Sequence, residues 1–243
     1  MDKAVDQSVD LFNLVTWFHA NRKRVVTILV AVLVVAAAVG IYIWHQNYTE
    51  TQANAALSEI KPPMPSQEGA LPNPADAQPY ERVAEEHPGT SAGARALLMS
   101  GGILFDAGKF DEAKAQFDKF LSAYPDNLLA VQAQLGVAAS LEAAGKLPEA
   151  TAHYDELIKR HPNESIIPQA QSALARLYVA QNKPELAVHL YEGLAKANNN
   201  DSWSAEAGIQ LQELLAKYPN LRKPVAPPPA PKTSATVTVP PLH

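Results

Sequence analysis

Two stretches of the sequence, "AGKFDEAKAQFDKFLSAYP" at residues 107–125 and "AGKLPEATAHYDELIKRHP" at residues 144–162, carry one pattern 37 residues apart. A catalytic site is assembled once, from different residues that converge on one pocket. Similarity at a fixed period is instead typical of stacked structural units. The repeat therefore predicts a fold built from copies of one unit.

The repeat extends beyond these two stretches and keeps its phase. The recurring positions hold small, aromatic or large apolar side chains: Ala96, Ala133, Ala170 and Ala207; Ala113, Ala150 and Ala187; Phe117, Tyr154 and Tyr191; Phe120, Leu157 and Leu194. Small alanines let paired helices approach closely, and the aromatic ring fills the gap between them. One period upstream, residues 80–88 have the layout of residues 117–125, so the stack is expected to begin before Pro88.

Each unit contains two apolar-periodic stretches of about a dozen residues, separated by helix-breaking residues. The first stretch ends at a residue suited to the left-handed conformation that closes a helix, namely Gly108, Gly145 or Asn182. The second opens near a residue favoured at a helix start, namely Asp111, Pro148 or Pro184, and closes before the proline of "YP" or "HP". Units of this kind predict an all-α fold, an α-solenoid of helix-turn-helix repeats.

The order of small residue, alanine, aromatic and proline resembles the tetratricopeptide repeat, whose unit has ~34 residues. The matching residues are Gly101, Leu104, Ala113, Phe117 and Pro125 in one unit and Ala138, Leu141, Ala150, Tyr154 and Pro162 in the next. A third unit keeps Tyr178, Ala187 and Tyr191 but has Asn199 in place of proline, and the early tryptophan is absent throughout. The resemblance covers residues 75–219 and implies a domain that binds a protein or peptide partner.

An uncharged apolar run, residues 25–44, predicts a transmembrane helix that precedes the solenoid. Arg22, Lys23 and Arg24 abut its start, and no lysine or arginine follows until Lys61. Residues 1–24 are therefore expected in the cytoplasm and the repeats outside it. The alternative is a cleaved signal peptide with its site in the alanines at 36–38. The uninterrupted apolar run to Trp44 favours the anchor.

Three segments flank the span and the repeats. Before the span, one helical face is shared by Leu11, Leu14, Val15 and Phe18. The alternatives are that this face lies along the inner leaflet, that it touches the cytosolic side of a partner, or that the segment simply extends the span. Residues 45–74 are interpreted as a juxtamembrane helix followed by a proline-rich spacer. Residues 220–243 form a second proline-rich segment, predicted to be a disordered or extended tail.

Composition excludes several classes of function. The chain of 243 residues has a formal charge of −5 and no cysteine, which argues against a nucleic-acid partner and excludes disulfides and a cysteine-linked lipid anchor. The histidines lack metal-ligand spacing, and no glycine-rich phosphate loop occurs. We therefore expect no cofactor, no metal site and no enzymatic activity.

The layout of a short cytosolic segment, one span and an outer repeat domain resembles the ancillary subunit of the bacterial SecYEG translocon. It is also similar to the periplasmic tetratricopeptide proteins of envelope assembly. The resemblance implies an inner-membrane scaffold whose repeat domain is periplasmic and assists translocon-linked or envelope protein assembly. The alternative is a structural module that forms homo-oligomers in the cell envelope.

In the tetratricopeptide family the first helices of the repeats line a concave binding groove. That resemblance places one row of partner-binding residues at Arg95, Gln132, Gln169 and Glu206. A neighbouring row holds Phe105, Glu142 and Val179, with Arg176 and Glu213 nearby. Polar groups there would pair with a peptide backbone, and Phe105 would anchor an apolar side chain. The alternative for each residue is an ordinary solvated helix position.

Overall fold

The computed structural model describes residues 17, 21–62, 72–197 and 202–222. These residues contain no strand; their α-helices are α1 (Arg22–Glu59), α2 (Gln78–Glu86), α3 (Ser91–Asp106), α4 (Phe110–Ala123), α5 (Ala130–Ala143), α6 (Leu147–Arg160), α7 (Ile167–Ala180), α8 (Pro184–Lys196) and α9 (Ser202–Lys217). Short 3-10 helices occupy Pro74–Ala77 and Pro219–Leu221. The all-α prediction is confirmed. The face at Leu11, most of the spacer and the tail from residue 223 lie outside the described residues.

Three helices end in the same way, at the residues predicted to stop them. Gly108, Gly145 and Asn182 have φ angles of 76°, 76° and 57°. The next residue donates its backbone N–H to a carbonyl five residues back in each case, from Lys109 to Leu104, Lys146 to Leu141 and Lys183 to Tyr178, at 2.8, 2.9 and 2.8 Å. These bonds satisfy terminal carbonyl groups that the helix itself leaves unpaired. The breakers therefore fix where each first helix ends and where its partner begins.

The described chain divides into two compact units, residues 1–150 and 151–243, with the boundary in the sequence inside α6. In the first unit α2 packs against α3, α3 against α4, and α4 against α5. Helices α3 and α5, the first helices of consecutive repeats, also contact each other. This pattern, in which each helix meets its neighbour and the first helices meet one another, is that of stacked helix pairs.

Small residues at the repeat positions make this close packing possible. Ala96, Ala113 and Ala133 are completely buried. The Phe117 ring lies between two glycines: a Cβ built on Gly101 of α3 or on Gly136 of α5 would stand 2.7 Å from it. The aromatic residue of the repeat therefore fills the space between α4 and the two first helices on either side.

The C-terminal part of α1 belongs to the first unit, because it packs against α2 and α3. Ala53 of α1 is completely buried. The Glu50 carboxylate accepts a hydrogen bond from the backbone N–H of Ser91, at the start of α3, at 2.8 Å. The Arg95 guanidinium donates to the Asn54 side-chain oxygen. One continuous helix thus runs from the apolar stretch into the packed domain.

The second unit repeats the arrangement with α7, α8 and α9. Helix α8 packs against both neighbours, and α7 also contacts α9. Its core combines the repeat positions with other apolar side chains, namely Ala175, Ala187, Val188, Tyr191, Leu194, Ala207 and Leu214. The partly buried Tyr218 and Leu221 cover the same core after α9 ends.

Candidate functional site

A cavity of about 230 Å³ in the second unit contains two of the predicted groove residues, Arg176 and Glu213. Its wall is formed by α7, α8 and α9. The lining residues are Arg176, Val179, Tyr191, Gln210, Glu213, Leu214 and Lys217. Val179, the third member of the second predicted row, is therefore also at this site.

The repeat explains why these side chains meet. Arg176 and Glu213 are 37 residues apart, so they occupy the same phase on α7 and α9, which contact each other. Tyr191 comes from α8 and is 2% exposed, and Leu214 is 6% exposed. Polar residues at the rim and apolar residues at the base give the cavity the character of a small ligand or peptide site.

The electrostatics of the cavity are mixed. Arg176 and Lys217 are cationic and Glu213 is anionic. Burial raises the pKa of the Tyr191 phenol above its ordinary value; the nearby Arg176 charge opposes this shift and Glu206 adds to it. Tyr191 therefore stays neutral at physiological pH. A peptide that offers an acidic group to Arg176 and an apolar side chain to Leu214 fits this arrangement.

The remaining predicted residues of the second unit lie on its exposed surface. Gln169, near the start of α7, is exposed. Glu206, in α9, is exposed and accepts a hydrogen bond from the Gln210 side chain at 2.8 Å. Because Gln210 lines the cavity, this bond links Glu206 to the cavity. Gln169 lies one repeat period before Glu206, on α7.

The predicted residues of the first unit have different surroundings. Arg95 is exposed and bonded to Asn54 of α1, so its guanidinium already has a partner in the chain. Phe105 stacks edge-on with Phe110, with ring centroids 5.4 Å apart. Gln132 is exposed and Glu142 is half-buried, both on α5. Their part in a binding groove stays a prediction.

Sequence reasoning missed four members of the cavity, namely Tyr191, Gln210, Leu214 and Lys217. Gln210 and Lys217 follow Glu206 and Glu213 by four residues, a spacing that places each pair on one helical face. That spacing was available from the sequence. Tyr191 was interpreted as a core residue, and it is buried, but it also forms part of the cavity wall. No sequence pattern distinguishes a core side chain that lines a cavity from a core side chain that is packed on all sides.

The described residues contain no group of three or more histidine, aspartate or glutamate side chains positioned to hold a metal ion. Ser58, whose spacing to Lys61 matches that of some acyl-enzyme nucleophiles, donates its hydroxyl to the Ala55 carbonyl at 2.8 Å. That bond is an ordinary contact within a helix.

Comparison with family models supplies the assignment. Residues 16–123 match the tetratricopeptide repeat-like domain, and residues 98–165 match the tetratricopeptide repeat. The chain carries tetratricopeptide repeats. Such domains generally bind protein partners and are generally non-enzymatic scaffolds. The first match also includes α1, in agreement with the packing of that helix against α2 and α3.

Solved structures show weaker likeness. A Podosopora anserina protein with nearly identical TPR-like repeats has 14% sequence identity and a TM-score of 0.49, covering 73% of this chain and 90% of that one. A tetratricopeptide repeat protein from Parabacteroides merdae ATCC 43184 has 16% identity and a TM-score of 0.49, covering 60% of this chain and 55% of that one. At these scores the fold assignment rests on the helix packing and the family matches. No curated protein matches the chain.

Proposed function

We propose that this protein is a membrane-anchored scaffold whose tetratricopeptide domain binds a protein partner outside the cytoplasm. The observation that carries the proposal is the cavity between α7, α8 and α9. It joins Arg176 and Glu213, two residues of the predicted groove, to an apolar base at Leu214 and Tyr191. A partner segment would lie across the first helices and insert an apolar side chain there.

Support for the anchor comes from α1. Its length and composition are sufficient to cross a membrane, and none of its most apolar window is buried. Leu33, Ile41 and Trp44 are each more than half exposed, a surface that lipid would cover. A signal sequence near the N-terminus passes the same test of length and composition. The apolar run that continues past the alanines at 36–38 to Trp44 favours a helix that is kept.

The proposed role is assistance in translocon-linked or envelope protein assembly at the bacterial inner membrane. The support for this role is the layout, with three basic residues before the apolar stretch and the repeats after it. Protease added to spheroplasts should remove the repeat domain and leave a small anchored fragment. Protection of the repeats would contradict the orientation, and a mature N-terminus near Val39 would contradict the anchor.

Charge reversal in the cavity tests partner binding directly. Arg176→Glu should reduce recovery of the partner when the full-length chain is captured from solubilised native membranes. Lys159→Glu is the matched control, since Lys159 is an exposed cation of the same unit, bonded to Asp155. If the two variants recover the partner equally, the binding site is elsewhere. Arg95→Ala, Gln132→Ala and Gln169→Ala together test the rest of the predicted groove in the same assay.

A further inference from the structure

A second cavity, of about 800 Å³, lies in the first unit on the side of the second helices. Helices α2 and α4 form most of its wall, and α3 contributes Leu97. The lining residues are Glu81, Ala84, Glu85, Leu97, Ala115, Gln116, Asp118, Lys119, Ser122 and Ala123. The predicted groove, in contrast, follows the first helices of the repeats.

The cavity wall contains a hydrogen-bond network in which one buried acceptor lacks a donor among the described residues. Gln116 is 7% exposed, and its side-chain N–H donates to the Glu81 carboxylate at 2.8 Å. The Ser100 hydroxyl donates to the same carboxylate oxygen, Oε1, at 3.2 Å. The Gln116 side-chain oxygen is buried and has no donor among the described residues. A buried carbonyl oxygen without a donor is rare in folded proteins and calls for a partner group.

The charges around the cavity define that partner. Glu81, Glu85 and Asp118 are anionic, and Lys119 is the only cation among the described residues that line this cavity. Asp118 is bonded to Lys114 at 2.6 Å, while Glu81 has no cationic partner among the described residues. An arriving ammonium or guanidinium group would supply both a positive charge for Glu81 and an N–H donor for Gln116.

We propose that this cavity binds a basic side chain, lysine or arginine, from a partner protein. The cationic head would bond the Glu81 carboxylate and the Gln116 oxygen. The aliphatic stem would lie along Ala84, Leu97 and Ala115, because long basic side chains bury their methylene groups against apolar surface. The site is separate from the cavity of the second unit, so a partner could be held at two places on one chain.

The test uses the full-length chain in lipid nanodiscs with methyl-labelled alanine. Three acetylated, amidated tripeptides serve as probes, Ala-Lys-Ala, Ala-Arg-Ala and Ala-norleucine-Ala. We expect saturable shifts of the Ala84 and Ala115 methyl signals with the lysine or arginine peptide and none with norleucine. The comparison of lysine with arginine identifies which head group the cavity prefers.

Variants separate this site from non-specific attraction to an acidic protein. Glu81→Gln keeps an oxygen that accepts from Gln116 and Ser100, and it should weaken the basic peptide about tenfold or more through loss of the charge. Glu86→Gln removes an exposed charge from the same helix and should leave the affinity unchanged. Gln116→Met, a second variant of similar size, should also weaken binding. Equal shifts with norleucine, no saturable shift, or equal affinity of Glu81→Gln and the wild type would each overturn the proposal.

Discussion

Gly136→Ala should destabilise the protein even though alanine favours helices, because the added methyl group would overlap the Phe117 ring. The new Cβ would stand 2.7 Å from Cε2 and Cζ of that ring. Carbon atoms in contact are ordinarily about 3.5–4.0 Å apart, so the overlap is about 1 Å. The ring has no room to retreat, because a Cβ at Gly101 would stand 2.7 Å from Cε1.

The expected magnitude follows from two opposing effects. Overpacking of a core costs about 1–3 kcal/mol, and replacement of glycine by alanine inside a helix contributes about 1 kcal/mol of stability. The net loss at Gly136 is therefore about 0–2 kcal/mol. Gly102→Ala is the matched control, since nothing lies within 4 Å of the position that its Cβ would take. That variant should gain up to about 1 kcal/mol, which separates the two variants by about 1–3 kcal/mol.

Thermal unfolding of the full-length chain, followed by circular dichroism, measures the difference. Each kcal/mol moves the Tm of a domain of this size by about 2–4 °C. Phe117→Leu in the Gly136→Ala background should recover part of the loss, because the smaller side chain relieves the overlap. A double-mutant cycle measures that coupling. If Gly136→Ala melts at or above the temperature of Gly102→Ala, the proposed packing of Phe117 between α3 and α5 is wrong.

Three further changes test other parts of the structure. Ala53→Arg should cost several kcal/mol, of the order seen for charges forced into a packed interior, while Ala55→Arg, on the exposed side of α1, should change the Tm little. Ala150→Arg should cause a similarly large loss of stability, because Ala150 is completely buried. Its control, Glu149→Lys, changes an exposed residue and should cost less than about 1 kcal/mol. The raised pKa of Tyr191 favours the neutral phenol in the folded state. The stability that this shift contributes is complete below the unfolded pKa of about 10 and is lost as the pH rises through the folded pKa. Tyr191→Phe should therefore lose less stability at alkaline pH than the wild type, as measured by urea unfolding at a series of pH values.

The sequence predicts the repeat core well because the fold needs particular residues at fixed positions. A backbone with positive φ requires glycine or asparagine, and Gly108 and Asn182 occur where the helices end. Close helix approach requires small side chains, and the alanines that recur every 37 residues, such as Ala133 and Ala170, are completely buried. These constraints recur in each unit, so each copy supports the interpretation of the others.

The docking of α1 could not be predicted in the same way. The contacts from Glu50 to Ser91 and from Asn54 to Arg95 each join residues 41 positions apart, outside the period of the repeat. They depend on where one helix of the stack meets a helix that is not a copy of it. Arg95 was therefore assigned to the groove from its repeat phase alone, although the structure pairs it with Asn54.

Only part of the candidate site could be predicted for a similar reason. The phase of the repeat brings Arg176 and Glu213 to adjacent first helices, and the cavity contains both. The cavity itself depends on how completely Tyr191 and Leu214 fill the space beneath them, which is a matter of packing volumes. A one-dimensional pattern carries no information on such volumes.

Binding of a protein partner in the cavity of the second unit, as proposed above, can be tested by site-specific crosslinking. A photoreactive side chain at Gln210, which lines the cavity, should crosslink in native membranes to a discrete second protein. The same group at Gln212, exposed on the same helix, should give little of that product. Arg176→Glu should abolish the Gln210 crosslink. Equal yields from the two positions, or a Gln210 product that contains only a second copy of this chain, would contradict the account.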